Sequence, residues 1–516
     1  MVFLLFRVAL SSLNRRSVIG RMVGIYYFST QVHPIIFPVA FSGQQYDFTE
    51  QGSPQFFNCR ELRMLNLSVG LRSLLLAGIC TAYLPANLFA NNNGNNNFVN
   101  QRSVGGVAIN AEGVLRNQTI DERKELRAAR EKALAKAGDA VTKETKQRVI
   151  SLAKLDAAVK EHVAQNKPLS DDLKYLAGLQ RIEFVFVDAE HHDILLAGPG
   201  EGWRIANDGT VVGVKSGLPV MHLDDLMVAI RSAEGARRAP ITCSIDPTPE
   251  GVRRVQTLLS TLREIGNKEQ TKTSIEQALG PQMVTVTGVP DNSGMARVLV
   301  AADYRMKRLG MKFDTPPVQG LPSYLDLANA GSTGLANAFP RWWLVPKYDA
   351  IVRDPEGTTW KFNGSVKCMA SEDFMNATGQ KQTAKAAPAA QTWADNMTKK
   401  YDELAQKEPI FAELKCVMDL AIVGTLITKE RLLEKADLKL STLSDEKAFK
   451  TEEFPAPKSI DSQATMVKKG TNWLISASGG VEIQPWAVVS EIKQDASVSL
   501  ARKNAPVSKS DSWWWD

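Results

Sequence analysis

Ile241-Thr-Cys-Ser-Ile-Asp-Pro-Thr-Pro249 begins as a short apolar, β-branched run and ends in a turn-forming Asp-Pro-Thr-Pro. The first half reads as a strand. The second half reads as the entrance to a helix, because a proline in the first helical turn forfeits no hydrogen bond. The same alternation continues on both sides: a helix from Leu223 to about Ala233 comes before, and helix Pro249–Ile265, strand Met283–Thr287 and helix Asp291–Leu309 follow. Strands and helices in alternation predict an α/β or α+β fold, a mixed sheet core with flanking helices.

Within Asp291–Leu309, Met295, Val298, Leu299, Ala302, Met306 and Leu309 recur at spacings of three and four, Asp291 to Ser293 can cap the start and Gly310 can end it. Its other face carries Arg297, Arg305, Lys307 and Arg308, which are expected to be solvated, with an anion or partner site as the alternative.

Towards the N-terminus, Trp203–Val212 reads as a hairpin through Asp208-Gly209, and Arg181–Asp188 as a buried strand. The Ala-, Lys- and Glu-rich stretch Thr119–Ala164 fits two helices broken near Gly138-Asp139, and residues 98–116 a hairpin turning at Glu112-Gly113. Towards the C-terminus, Arg341–Val345, Tyr348–Arg353 and Thr358–Phe362 are β-rich, with Asp354-Pro-Glu-Gly357 as a turn. Residues 380–390 read as a linker before a helical hairpin, Gln391–Gln406 and Phe411–Leu426, separated at Pro409. Asp419 and the short length of the second helix argue for core and not membrane. Residues 441–470 read as a connector, and Trp473–Ile483 as a hairpin turning at Gly479-Gly480. The expected organisation is an α/β domain at 98–320, a β-rich segment with a helix pair at 321–440, a linker at 441–470, a hairpin at 471–501 and a flexible tail at 502–516. The tail ends in Trp513-Trp-Trp-Asp516 and is assigned no role.

The front end has a different character. Met64 to Ala90 has a short basic lead with Arg72, an apolar run Leu74–Leu84, and small residues at Ala86 and Ala90. That order is the grammar of a secretory signal, and the run is too short to anchor in a bilayer. Residues 64–90 are therefore expected to be a signal peptide and 91–97 an Asn-rich spacer, with 1–63 outside the mature protein. The expected destination is the periplasm or cell envelope, with secretion as the alternative, and no transmembrane anchor is left after cleavage.

The chain of 516 residues has a formal charge of +6, but beyond residue 90 the balance falls to +2. No basic cluster stands out, which counts against a nucleic-acid partner, whose phosphates demand one. Cys243, Cys368 and Cys416 are an odd, widely spaced trio and form no evident disulfide framework.

The densest polar cluster is Asp188-Ala-Glu-His-His-Asp193, where a buried strand should emerge into a loop. His191, His192 and Asp193 are candidate metal ligands by donor type, although adjacent histidines on an extended chain point apart. A solvated polar turn is the plainer account. Asp246 ends a second strand, so Asp188 and Asp246, with His191 or His192, are candidates for acid/base catalysis if they face one cleft. Gly-x-Ser-x-Gly, the phosphate-binding Gly-x-x-x-x-Gly-Lys, Cys-x-x-Cys and His-Glu-x-x-His are all absent, and no cofactor is implied.

In Ser244-Ile-Asp-Pro-Thr-Pro-Glu-Gly251, Leu299-Val-Ala-Ala-Asp-Tyr-Arg-Met-Lys-Arg-Leu-Gly-Met311 and Pro340-Arg-Trp-Trp-Leu-Val-Pro346, the chain resembles a planctomycete family of exported proteins, domain-of-unknown-function family 1598. Tyr401–Ala405 and Ser478–Glu482 fit the same resemblance, which implies a bacterial exported protein and carries no activity. The leading reading is a non-catalytic envelope or periplasmic protein that binds a partner or serves a structural role. The alternative is a metal- or water-dependent hydrolase built on the strand-end Asp and His residues.

Overall fold

Pro388 and Pro409 each open a long helix, Pro388–Lys407 and Pro409–Lys429, because proline at the first helical turn presets φ and gives up only an amide that lacks a partner anyway. The first helix buries one stripe, including Trp393, Met397, Tyr401 and Leu404. The second is buried almost all round from Ile410 to Ile427 and forms the axis of the core. Gly424 lies against the backbone of Ala229, where an added Cβ would come within 2.7 Å of a carbonyl oxygen.

These helices belong to a computed structural model of the chain. It describes residues 104–504 except 111, 135–137, 262–266, 329–337, 349–350, 376–380, 467–472 and 475, together with Trp514, Trp515 and two short paired strands, Val23–Ile25 and Ile36–Pro38. Residues 1–91 and 92–516 form separate units. The signal segment 64–90, the Asn-rich spacer and Trp513 lie outside the described residues, as do Cys59 and Cys80.

Two sheets organise the second unit. The larger runs in the order Lys381–Lys385, Gly364–Met375, Ala338–Tyr348, Ser478–Ile483, Ile241–Pro247, Gln282–Thr287, Ser459–Ile460, Val114–Asn117 and Val107–Ile109. The smaller runs Lys493–Gln494, Val352–Arg353, Thr359–Lys361, Phe184–Asp188, Asp193–Gly200 and Thr145–Ser151. Parallel pairing joins Arg341–Leu344 to Ser478–Val481 inside an otherwise mostly antiparallel ladder, so the sheet is mixed as expected. Its strands come from residues 98–320, 321–440, 441–470 and 471–501 alike. Helix Gly294–Gly310 packs on the central strands Ile241–Pro247 and Ser478–Ile483. At its end, Gly310 sits against Trp342 and Trp393, whose rings lie 4.4 Å apart.

Several local expectations need correction. Thr145–Ser151, which lies in sequence between helices Ile120–Ala133 and Leu152–Ala164, is a strand inside the stretch read as helical, and its β-branched Val149 and Ile150 are buried. Lys381–Lys385 is an edge strand where a linker was expected, and the exposed Lys385 discourages further pairing. The expected hairpin at Gly479-Gly480 is one continuous central strand. The glycines are there for proximity: a Cβ on Gly480 would come 1.8 Å from the Cys243 carbonyl oxygen and one on Gly479 1.9 Å from that of Trp342. Trp514 and Trp515 are buried against the edge strand, where Ser151 donates its amide to the Trp514 carbonyl and Arg148 stacks over the Trp515 ring.

Candidate functional site

Helix Ile120–Ala133 starts with a capping box between Thr119 and Glu122 and brings Arg130 into its last turn, where one guanidinium nitrogen donates to the Gly209 carbonyl at 2.6 Å. Beyond helix Leu152–Ala164 the chain turns through Lys167, Pro168 and Leu169 into a short helix, Asp171–Lys174, capped by Ser170. Tyr175 follows, its ring packed 5.5 Å from Trp203 and edge-on to His222 at 5.3 Å. His222 precedes helix Leu223–Ser232, which carries Asp224 in its first turn.

The opposite wall is a strap, residues 442–454, held down at several points. Asp156, buried, accepts the amides of Thr442 and Leu443 at 2.8 and 2.7 Å. Arg231 donates to four carbonyls of the strap, those of Thr442, Leu443, Asp445 and Phe449. Further along, the Glu452 amide donates to Asp224 and the Phe454 amide to the Asn292 carbonyl, while the Arg297 guanidinium lies over the Phe454 ring.

Between these walls lies a cleft of about 410 Å³, reaching the start of helix Gly294–Gly310 at Gly294. Its charged lining is Arg130, Lys167, Lys174, Asp224 and Glu452, and its rings are Tyr175, His222, Phe449 and Phe454. A shallower depression of about 110 Å³ adjoins it, sharing Arg130, Lys174 and Tyr175 and adding Asp171 and Ile205. A cavity of this size and mixed lining suits a small ligand. No sequence motif pointed to it, because its residues come from five separate stretches.

The residues singled out in the sequence lie elsewhere, and none lines this cleft. His191 and His192 occupy the exposed turn between Phe184–Asp188 and Asp193–Gly200, with His192 at φ +51°. His191 lies 3.1 Å from Asp188, and His192 3.6 Å from Asp437. Asp193 is turned inward, where it accepts from the Ser151 hydroxyl and the amides of Ala153 and Ile194 and so caps helix Leu152–Ala164. Burial raises its pKa despite those bonds. Asp246 ends a strand of the other sheet and accepts the Gly479 amide at 3.1 Å. Among the described residues, no three His, Cys, Asp or Glu side chains gather to hold a metal.

The cationic face expected to be solvated on helix Gly294–Gly310 is largely engaged in the interior. Arg297 and Lys307 are buried, and Arg305 and Arg308 both pair with Asp314, Arg305 also with Glu408. Lys307 donates to the carbonyls of Ile245 and Gly479 and to Asp303, which is fully buried. Strands Ile241–Pro247 and Ser478–Ile483 pair only as far as Ser244 and Gly480, so the ammonium supplies a donor just where their ladder ends. Burial pushes the Asp303 carboxyl up to about 7, against the pull of Lys307. The only sequence sign of this pair was an Asp and a Lys four apart on a helix.

Cys243, Cys368 and Cys416 are free thiols, all buried. Burial pushes Cys243 well up and Cys416 to about 12, which leaves them protonated and weakly nucleophilic.

Residues 243–324 match a family model described as Protein of unknown function (DUF1598), in accord with the resemblance read from the sequence. The matched segment runs from the central strand through Gly294 at the floor of the cleft and the Asp303–Lys307 pair to Tyr324. No curated protein and no solved structure matches the chain.

Proposed function

We propose that the protein is an exported binding protein of the periplasm or cell envelope, and that its ligand sits in the cleft between Arg130 and Phe454. One observation carries the reading: cations, carboxylates and aromatic rings converge on a single cavity of about 410 Å³, within the range that buries most of a small ligand. The walls support it. Strap 442–454 is fixed by Arg231 and Asp156, and the floor by the starts of two helices. A preorganised cleft loses less entropy when it is filled. The signal grammar of Met64–Ala90 supports export.

Native mass spectrometry of the protein isolated from its own envelope fraction tests the binding half. The wild type should retain a small molecule, and Leu169→Trp, which fills the cleft from a half-buried position, should lose it. Equal spectra for both would refute the proposal. N-terminal sequencing tests export: a mature terminus at Asn91 or Asn87 is expected, and an intact Met1 would contradict it.

A further inference from the structure

Thr145–Ser151 is the outermost strand of the smaller sheet, and an open strand edge is a template for one strand more. The end of the chain supplies it. Ile150 faces Trp515 in an antiparallel bridge, and the Ser151 amide donates to the Trp514 carbonyl at 2.8 Å. Both indole side chains are buried there, edge-on to each other with ring centres 6.5 Å apart.

The edge is shaped to receive the second of these rings. Its register against Asp193–Gly200 shifts between Thr145 and Arg148, an irregularity of the kind that re-aims a side chain. Gly200 on the neighbouring strand makes room for the Arg148 stem, since an added Cβ there would come 2.8 Å from the Arg148 Cβ. One guanidinium nitrogen donates to the carbonyls of Val141 and Lys143, both at 3.0 Å, and the guanidinium carbon lies 4.8 Å from the centre of the Trp515 ring. The two hydrogen bonds are made without the tail, so the platform is set before the indole arrives, and the cation–π contact adds to the hold. A chain terminus docked on a strand edge belongs to the least stable level of a fold and opens without global unfolding.

We propose that the edge at Arg148–Ser151 is a strand-addition site for the Trp514-Trp515 tail, closed in cis by the molecule's own tail and, once that tail lifts, taking the tail of a second copy. The second copy is the partner because it carries the identical segment that is seated on this edge. Docking in cis is the resting state. Helix Ser499–Asn504, from which the tail leaves, packs Ala501 beside Val149, Phe186 and Ala197 of the same sheet, and a short tether holds the tail at an effective concentration of about a millimolar. The contact is therefore autoinhibitory, and its exchange links copies tail to edge, a head-to-tail contact.

The test uses a fluorescein-labelled peptide, Ser-Asp-Ser-Trp-Trp-Trp-Asp, that copies residues 510–516. Fluorescence anisotropy compares its binding to the full-length wild type and to the full-length Trp514→Ala/Trp515→Ala double variant. The double variant should bind at least about tenfold more tightly, because its own tail no longer competes. A peptide with alanine at the positions of Trp514 and Trp515 should bind neither protein. In hydrogen exchange, segment 148–151 should exchange faster in the double variant and return to the wild-type rate when the tryptophan peptide is added. The wild type supplies a readout that needs no variant: at about millimolar concentration, where copies compete with the tethered tail, sedimentation velocity should show self-association that excess peptide dissolves. Equal affinity of the two proteins for the peptide, equal binding of the alanine peptide, or a wild type that stays monomeric at that concentration would each overturn the inference.

Discussion

Lys307 shows why a charged side chain can be structural. Its ammonium meets two strand carbonyls and one carboxylate in the interior, so Lys307→Met removes a donor from three acceptors at once. Breaking a buried pair of this kind costs about 3–5 kcal/mol, which urea unfolding should read as a lower midpoint. Adding Asp303→Leu should recover only part of the loss, because the carbonyls of Ile245 and Gly479 still lack their donor. Asp303 also sets a pH dependence. Its carboxyl stays protonated in the fold up to about 7, whereas an unfolded aspartate ionises near ~3.9. Its contribution to stability is therefore complete below about 4 and is lost as pH rises through about 7. The melting temperature of the wild type should fall between pH 5 and 8, and Asp303→Asn should flatten that fall. Asp193, whose pKa is also raised, keeps the slope from vanishing. Identical slopes in the two proteins would contradict the assignment.

Among the elements, the central strand Ser478–Ile483 is the most sensitive to a single atom. Gly480→Ala would place a Cβ 1.8 Å from the Cys243 carbonyl, so the strand cannot keep its pairing, and the variant should be recovered unfolded or aggregated. Gly138→Ala, where an added Cβ meets nothing within 4 Å, should behave as the wild type in the same solubility and circular-dichroism assay. The glycine pair also explains a misreading. Gly-Gly between apolar runs has the chemistry of a tight turn, and only the close approach of Trp342 and Cys243, distant in sequence, makes it a strand interior. Elements set by local chemistry were legible: the Asp208-Gly209 hairpin, the helix pair divided at Pro409, although its first helix begins at Pro388 inside the expected linker, and the periodic helix Gly294–Gly310. Thr145–Ser151 was not. Its Lys, Gln and Arg residues disguise a strand whose burial comes from tertiary neighbours.

In the whole molecule, the larger sheet collects strands from residue 107 to residue 483, and the cleft collects side chains from five stretches between Arg130 and Phe454. No window of sequence could display that convergence, which is why the Asp188 to Asp193 cluster drew attention and Arg130, Tyr175 and Asp224 did not. The cluster stands out in sequence because its polar residues are adjacent, and adjacency in an exposed turn creates no enclosed site. The strap joins these scales: Arg231, a residue of helix Leu223–Ser232, fixes the segment that closes the cleft. Hydrogen exchange read by mass spectrometry, comparing the ligand-loaded protein with the same protein stripped of ligand, tests the cleft as a binding site most directly. Exchange should slow on loading in 167–175, 222–226 and 449–454, with the turn 189–192 unchanged. Protection centred on 188–193, or none in the three cleft segments, would contradict it.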